Sequence, residues 1–330
     1  MFHDSVPASD RVSVPCCSVV ICTRDRPDEL ERCIATVLSQ DYPRFEVLVV
    51  DNAPHDGRVR EVAQRCRVRY TLEPVAGLSR ARNRGARESG GEIIAYIDDD
   101  ATAAPGWLSA LAAEFADPMV MAVAGRILAP HGEKVAPPPG SDPALSRRVV
   151  DRGIPDWFEI ANFGGIGIGA NMALRRSAFG RWPGFDERLG RGAVLYAGED
   201  NYAFYCLTKL GYRVVYSPAA AVYHVRLEDR VADREHRSAL LTGAVGYMMF
   251  LFKEEPSGRL ALLRFLLGCV VRRARRPWRP AHPPGQVRFS QRSLELEAAL
   301  RGLMLYARAA FGRGLASEKM TRRGLLRSVD

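Results

Sequence analysis

The chain has 330 residues, of which 47% are hydrophobic and 26% are charged. These values are close to the averages of soluble globular proteins and exclude a wholly disordered, collagen-like or coiled-coil chain. The length allows two domains, or one large α/β domain with additions. The formal net charge of +9 is unevenly distributed, because residues 1–230 carry −2 and residues 231–330 carry +11. This asymmetry predicts a near-neutral body followed by a basic extension that meets an anionic surface.

The cysteines and the apolar segments indicate the compartment. There are seven cysteines, and their spacing matches neither a disulfide framework nor a zinc site, so we expect reduced thiols. The first fifteen residues lack the apolar segment of a signal peptide. The longest charge-free apolar stretch of the tail, about 240–252, is shorter than the ~20 residues of a membrane-spanning helix. We therefore expect a cytoplasmic protein that does not cross a membrane.

Strand-like and helix-like segments alternate in the first part of the chain. The first strand is predicted at Cys17–Thr23, and a helix follows at 28–38 with Asp28 as its N-cap. Further strands are predicted at 45–50, 68–72, 92–97 and 119–127, separated by helices at 58–66, 79–89 and 107–115. This alternation indicates a parallel, doubly wound sheet, in which ligands bind at the carboxyl ends of the strands.

The alternation stops between Pro130 and Pro155, where we expect a loop. Regular structure is predicted to resume at 164–174. It continues with a helix near 199–210, strands near 213–216 and 221–224, and tail helices around 236–252, 258–274 and 290–311.

Polar side chains follow the predicted strands. Thr23, Asp51 and the run Asp98–Asp100 all lie at strand ends. Three consecutive carboxylates repel one another unless they share a cation, and a divalent cation prefers hard oxygen ligands. The alternative is a solvated acidic turn that caps the next helix.

A second polar cluster supports the first. Glu199 and Asp200 begin a predicted helix, and His224 closes a later strand. Taken singly, a carboxylate at a helix start is more often an N-cap than a base, and a lone histidine is usually structural. Together with the aspartates, these residues supply a metal site and a candidate proton acceptor.

Five segments occur in a characteristic order: SVVICTRDRPDELERCIATVLSQDYPRFEVLVVDNAP, GLSRARNRGARESGGEIIAYIDDDATAAPGWL, GANMALRRSAF, GFDERLG and GEDNYAFYCLTKLGYRVVYSPAAAVYH. As a set they resemble the family 2 inverting glycosyltransferases with the GT-A fold, over roughly residues 16–226. The resemblance implies an α/β fold with a Rossmann-like, mixed and mostly parallel sheet flanked by helices. The expected organisation is an N-terminal arm at 1–15, a catalytic domain at 16–230 (nucleotide-binding 16–128, acceptor side 129–230) and a basic helical extension at 231–330.

The resemblance also implies the reaction. A sugar would move from a nucleotide-diphosphate sugar, of the UDP or dTDP type, to a hydroxyl acceptor with inversion at the anomeric carbon. Asp51 matches the carboxylate that accepts the pyrimidine imide N–H. The acceptor would be a small molecule, a glycan or a lipid-linked compound. A retaining double displacement would need a second, nucleophilic carboxylate, for which the sequence shows no clear candidate.

Individual roles follow from the same resemblance. Asp100 and His224 would ligate a divalent cation, either Mn²⁺ or Mg²⁺. Asp200 would be the catalytic base, and Glu199 its catalytic neighbour that contacts the acceptor. The residues implied to bind the nucleotide and donor are Thr23, Arg24, Asp51, Arg80, Arg82, Asp98 and Asp99. The residues implied to line the donor-sugar and acceptor cleft are Gly169, Asn171 and Asp186.

Two other functions are weighed against this interpretation. A nucleotidyltransferase-like or dinucleotide enzyme is disfavoured because neither GxGxxG nor a P-loop follows the first strand. A catalytically inactive protein that binds nucleotide sugars is disfavoured by the intact acidic residues and His224.

The basic tail permits three interpretations. Residues 258–279 combine leucines with an arginine-rich end, so they could lie on an anionic membrane surface as a peripheral anchor at its inner face. They could instead form a core helix packed on the catalytic domain. Nucleic-acid binding is the least favoured, since the segment has a single Trp278 and no known binding motif.

Overall fold

The computed structural model describes residues 14–128, 146–224, 234–275 and 300–308. Within these residues nine strands form one sheet, in the order β3-β2-β1-β4-β8-β6-β9-β5, with β7 paired to β9. The strands are β1 Cys17–Thr23, β2 Phe45–Asn52, β3 Arg69–Glu73, β4 Ile93–Asp98, β5 Thr102–Ala103, β6 Val120–Leu128, β7 Arg148–Val150, β8 Asn171–Arg175 and β9 Arg213–Tyr223.

Helices cover this sheet on both faces. The helices of the described residues are α1 Pro27–Leu38, α2 Arg58–Arg65, α3 Leu78–Glu88, α4 Trp107–Ala113, α5 Trp157–Asn162, α6 Glu199–Lys209, α7 Arg234–Glu254 and α8 Arg259–Arg275. Residues 300–308 are also helical, and 3₁₀ turns lie at Glu114–Ala116, Arg176–Gly180 and Pro256–Gly258. Side chains alternate along β1, so Val20 enters one hydrophobic core while Val19 and Ile21 enter the other. The predicted α/β class is confirmed.

The half of the sheet built from β3, β2, β1 and β4 is entirely parallel. Its register places Thr23 opposite Asp51, and Cys22 opposite Asp98. The polar residues at three strand ends therefore meet at one edge, as expected for parallel strands that helices connect.

The other half is mixed, so the simple parallel sheet expected from the alternation holds for the first half only. β8 runs antiparallel to β4 and β6, while β6 and β9 are parallel. β8 comes after a long excursion and not after a single crossover helix, so no geometric requirement makes it parallel. The short β5 pairs antiparallel with β9, with Thr102 opposite Tyr223. This pairing places the segment that follows Asp100 beside the end of β9.

Three local expectations differ from the structure. Arg26, not Asp28, is the N-cap of α1, because Pro27 occupies the first helical position, where its fixed φ is favourable. The loop expected from Pro130 contains β7, and α5 precedes the point where order was expected to resume; residues 129–145 lie outside the described residues. The two strands expected near 213–224 are one strand, whose register shift between Ser217 and Ala221 accommodates Pro218.

The C-terminal helices α7 and α8 pack on the rest of the described chain. Tyr247, Phe250 and Leu251 of α7 and Leu262 of α8 belong to the same hydrophobic core as α6. The core-helix interpretation is therefore correct for one face of α8. Residues 276–299, which include part of the proposed membrane segment and of the last tail helix, lie outside the described residues. No helix among the described residues is long and apolar enough to span a membrane.

Candidate active site

The acidic run Asp98–Asp100 at the end of β4 contacts the guanidinium of Arg26 and the hydroxyl group of Thr23. Arg26 donates to Asp99 at 3.1 Å and to Asp100 at 3.2 Å, and Thr23 Oγ1 donates to the other oxygen of Asp99 at 2.6 Å. Burial raises the pKa of Asp99 to about 6, against the opposing effect of Thr23 and Arg26. Both carboxylate oxygens of Asp99 are thus engaged within the protein, in the wall of the site.

Asp98, Asp100 and His224 form a cluster whose potential ligand atoms all lie within 4.8 Å of one another. His224 Nε2 is 2.9 Å from Asp100 Oδ1 and 4.0 Å from Asp98 Oδ2. The pairing of β5 with β9 brings these residues together. Two carboxylates and an imidazole are donors that Mn²⁺ and Mg²⁺ accept, so the residues fit a divalent cation. Asp98, predicted to face the nucleotide, joins the candidate metal ligands here.

A cavity of about 250 Å³ opens at the carboxyl ends of β1, β2 and β4. Its lining comprises Cys22, Thr23, Arg24, Arg26, Asn52, Gly77, Leu78, Ala81, Asp98, Asp99, Asp100, Arg191 and Gly192. Three of these residues, Arg26, Asn52 and Arg191, were not predicted from the sequence. Asn52 is the last residue of β2 and Arg26 lies three residues after β1, so both could have been found from their positions at strand ends. Arg191 directly follows the GFDERLG segment but was not itself predicted.

Asp51 is fully buried beside Asn52. Its Oδ2 accepts a hydrogen bond from the Tyr70 hydroxyl at 3.0 Å, whereas Oδ1 has no hydrogen-bond partner among the described residues. Burial raises the pKa of Asp51, and the hydrogen bond from Tyr70 opposes this effect. A buried acceptor without a donor is costly. Asp51 itself does not line the cavity, whereas its neighbour Asn52 does, so a base N–H would reach Asp51 Oδ1 only after a local rearrangement.

Arg82 links the metal cluster to a second carboxylate pair. This buried side chain of α3 contacts Glu199 Oε1 at 2.9 Å and Asp98 Oδ1 at 3.7 Å. Burial alone would lower the pKa of Arg82, but Glu199 and Asp98 outweigh it and hold the pKa above its usual value. A Cβ on Gly169 would lie 2.5 Å from Arg82 Nη2, so a larger residue there would displace the guanidinium. Arg82 was predicted to bind the nucleotide; the structure places it between two acidic groups.

The carboxylate pair begins α6, directly after Gly198. Asp200 Oδ2 accepts a hydrogen bond from the Gly169 N–H at 2.7 Å, and its Oδ1 accepts one from Asn201 N–H at 2.8 Å. Burial and the neighbouring Asp200 raise the pKa of Glu199, and Arg82 opposes them. Asp200 is therefore a partly exposed, oriented carboxylate with lone pairs left to take a proton.

The remaining predicted residues contribute differently. Asn171 is fully buried: its amide donates to Arg126 O and Ala220 O and accepts from Trp107 Nε1, so its side chain ties strands together and does not line a cleft. Arg80 pairs with Glu187 at 2.7 Å, and Asp186 accepts hydrogen bonds from Arg188. Arg24 lines the cavity and lies 3.6 Å from Asp25.

The sequence model of the family described as Glycosyl transferase family 2 matches residues 18–182, which is half of the chain. The chain belongs to glycosyl transferase family 2. The match ends before α6, so the family assignment rests on the nucleotide side of the site and on β8.

Curated relatives carry the same activity class. A glucosyl-dolichyl phosphate glucuronosyltransferase of Haloferax volcanii is 29% identical over 231 residues, covering 64% of this chain and 70% of the relative. An N-acetylglucosaminyltransferase of Rhizobium leguminosarum is 29% identical over 236 residues, covering 66% of this chain and 53% of the relative. Together with the family match, these relatives make the chain a glycosyltransferase. The chain spans only about half the length of the second relative.

Solved structures share the fold. The mannosyltransferase PcManGT from Pyrobaculum calidifontis, in complex with GDP-Man and Mn²⁺, has a TM-score of 0.54 at 19% identity, covering 96% of this chain and 82% of that chain. TarS 1-349 from S. aureus in complex with UDP-GlcNAc has a TM-score of 0.55 at 15% identity, with 89% and 81% covered. The fold of this glycosyltransferase is therefore of the GT-A type, as the sequence analysis predicted.

Proposed function

We propose that this glycosyltransferase moves a sugar from a nucleoside diphosphate donor to a hydroxyl acceptor by a metal-dependent, inverting single displacement. The observation that carries this proposal is the contact of one buried guanidinium, Arg82, with both Asp98 and Glu199. It links a candidate metal cluster to the helix start that carries Asp200. A leaving-group site and a base on either side of a sugar are what a single displacement requires.

The donor side is built from the cavity and the Asp98–Asp100–His224 cluster. A divalent cation bound there would act as a Lewis acid for the departing diphosphate. The chain itself supplies Arg24 and Arg26 at the cavity wall, and Arg26 also offsets the charge of Asp99 and Asp100. The unpartnered Oδ1 of Asp51 supports a uracil or thymine base, since the imide N–H of these bases is a donor and N3 of cytosine is not. Guanine also carries an N–H donor at N1, so this acceptor alone does not select a pyrimidine. With the family resemblance, we propose UDP- or dTDP-sugars as donors, and GDP-sugars are the alternative that the screen below includes.

The acceptor side is built on α6. Asp200 would take the proton of the attacking hydroxyl, a contribution of ~10²–10⁴-fold in typical enzymes. The Gly169 and Asn201 N–H groups hold its carboxylate in place. Glu199, paired with Arg82, lies beside it and would contact the acceptor. Gly169 and Asp186 would border the same cleft.

The proposed acceptors are hydroxyl groups of small molecules, glycans or lipid-linked compounds. One relative is named as a transferase that acts on a glucosyl-dolichyl phosphate, which supports including lipid-linked acceptors in the search. We also propose a cytoplasmic location. All seven cysteines lie in the described residues without forming a disulfide, which suits a reducing compartment.

The decisive experiment is a screen of UDP-, dTDP- and GDP-sugars with Mn²⁺, Mg²⁺ or EDTA, measuring release of the nucleoside diphosphate. We expect release from a pyrimidine donor that EDTA abolishes and added metal restores. The anomeric configuration of the product, determined by NMR, should be inverted. Turnover that is insensitive to EDTA, or a retained configuration, would contradict the proposal. Donor binding without any turnover would favour a nucleotide-sugar-binding protein.

A further inference from the structure

Helix α8 has one face packed against the protein. Leu262 is 2% exposed and belongs to the larger hydrophobic core. The Phe265 ring stacks on Phe163, just after α5, with ring centroids 4.0 Å apart and planes within 6°. The helix also packs against α5 and α7. These contacts anchor α8 in a defined orientation.

The opposite face of α8 is apolar and exposed. Leu260, Leu263, Leu267 and Val271 are 59%, 51%, 64% and 37% exposed. Their spacing of three and four residues aligns them in one stripe along the helix. A helix on a soluble surface usually presents polar residues there, and a contiguous exposed apolar patch indicates an interaction site.

The charge of α8 indicates the partner. The helix contains five arginines and neither aspartate nor glutamate. The sequence that follows adds Arg276 and Arg279, again without an acidic residue before Pro280. A second copy of this chain would bring the same positive charge against itself. A leucine stripe on an arginine-rich helix instead matches a membrane surface, whose acyl chains are apolar and whose head groups are anionic.

We propose that the exposed stripe of α8 docks on an anionic phospholipid bilayer, with the leucines inserted at the level of the head groups and the arginines on the lipid phosphates. α8 packs on α5, and α5 packs on α6, the helix that begins with Glu199 and Asp200. Docking therefore favours an acceptor that is presented at the bilayer, a lipid-linked hydroxyl compound. That acceptor class rests on the proposed transferase function, whereas the lipid binding does not.

The test is co-sedimentation of the full chain with vesicles of phosphatidylcholine alone or with anionic phosphatidylglycerol, at low and high salt. We expect binding to anionic vesicles, and we expect high salt to weaken it, because salt screens the attraction between the arginines and the lipid phosphates. Replacing Leu260, Leu263 and Leu267 with serine should remove most of this binding. The matched control replaces the exposed Leu38, Leu72 and Leu210 with serine and should bind like the wild type.

The contribution of charge is tested separately. Replacing Arg272, Arg273 and Arg275 with glutamine should weaken binding on the order of 100-fold. The same change at the exposed Arg87, Arg152 and Arg181 should leave it unchanged.

Three results would overturn the proposal: no binding to anionic vesicles at low salt, binding that survives the leucine changes, or binding that survives the arginine changes. A dimer that the leucine changes convert to a monomer, without vesicle binding, would assign the stripe to self-association. Donor hydrolysis measured without vesicles reports on the transferase function independently.

Discussion

Tyr247 packs directly against Gly198, the residue that precedes the Glu199–Asp200 pair. Gly198 has a φ of +95°, and a Cβ there would lie 2.5 Å from the Tyr247 ring. The Tyr247 hydroxyl donates to Asn162 Oδ1 at 2.7 Å, which fixes the ring in place. Residues of α7 thus take part in setting the start of α6, the helix that begins with the proposed base Asp200 and its neighbour Glu199.

The first prediction concerns this contact. Gly198→Ala should lower kcat at least about ten-fold with little effect on nucleotide affinity, because strain and the clash with Tyr247 displace Asp200. The control is Gly211→Ala at the other end of α6, where φ is also positive (+91°) but no atom lies within 4 Å of the added Cβ. Steady-state kinetics and nucleotide titration separate the two effects. An equal loss of kcat in both variants would show that helix strain alone is responsible.

The second prediction concerns the metal cluster. Asp100→Ala should abolish metal-dependent transfer while the fold survives, because the cluster loses a charged ligand. His224→Ala should weaken Mn²⁺ binding less severely, since water can replace one neutral ligand. Calorimetric Mn²⁺ titration and turnover are measured together, with the exposed Asp56→Ala as control. Near wild-type turnover of Asp100→Ala would exclude the proposed metal site.

The third prediction concerns the base. Asp200→Asn keeps the size of the side chain but removes its proton affinity, so turnover should fall at least ~10²-fold with donor binding little changed. Asp156→Asn makes the same chemical change at an exposed position before α5 and should be silent. Unchanged turnover with poor donor affinity would assign Asp200 a structural role.

The fourth prediction concerns base recognition. Asp51→Asn should weaken UDP binding about ten-fold or more, because a charged acceptor for the imide N–H is lost. CDP, whose base has no such N–H, should lose less, so the ratio of UDP to CDP affinity should fall. Tyr70→Phe removes the hydroxyl that contacts Oδ2, leaves Oδ1 unchanged and serves as control. Equal losses for both nucleotides would show that Asp51 does not distinguish the bases.

Much of the nucleotide side could be predicted from sequence. The apolar runs that form β1, β2 and β4 are local signals, and parallel strands connected by helices bring their carboxyl ends to one edge. Thr23, Asp51 and Asp98 consequently lie at the same edge of the sheet, as expected. Local pattern also located α6 and, with it, the position of Asp200.

Other features depended on contacts that no local pattern encodes. The approach of His224 to Asp100, 124 residues away, rests on a two-residue strand that is too short to leave a signal. The inward orientation of Asn171 follows from its central position between β4 and β6, where its amide must be satisfied internally.

By itself, the sequence of this protein determined the strands, the helices and the polar residues at their ends, because hydrophobic periodicity and strand termini are properties of neighbouring residues. Only the tertiary structure decided which charged side chains pair with one another and which side of α8 is buried. Arg82 and Glu199 pair across 117 residues, and Leu262 is buried while Leu263 is exposed. Such pairs and such differences in burial arise because elements distant in sequence pack against each other when the chain folds, and no local pattern records that packing.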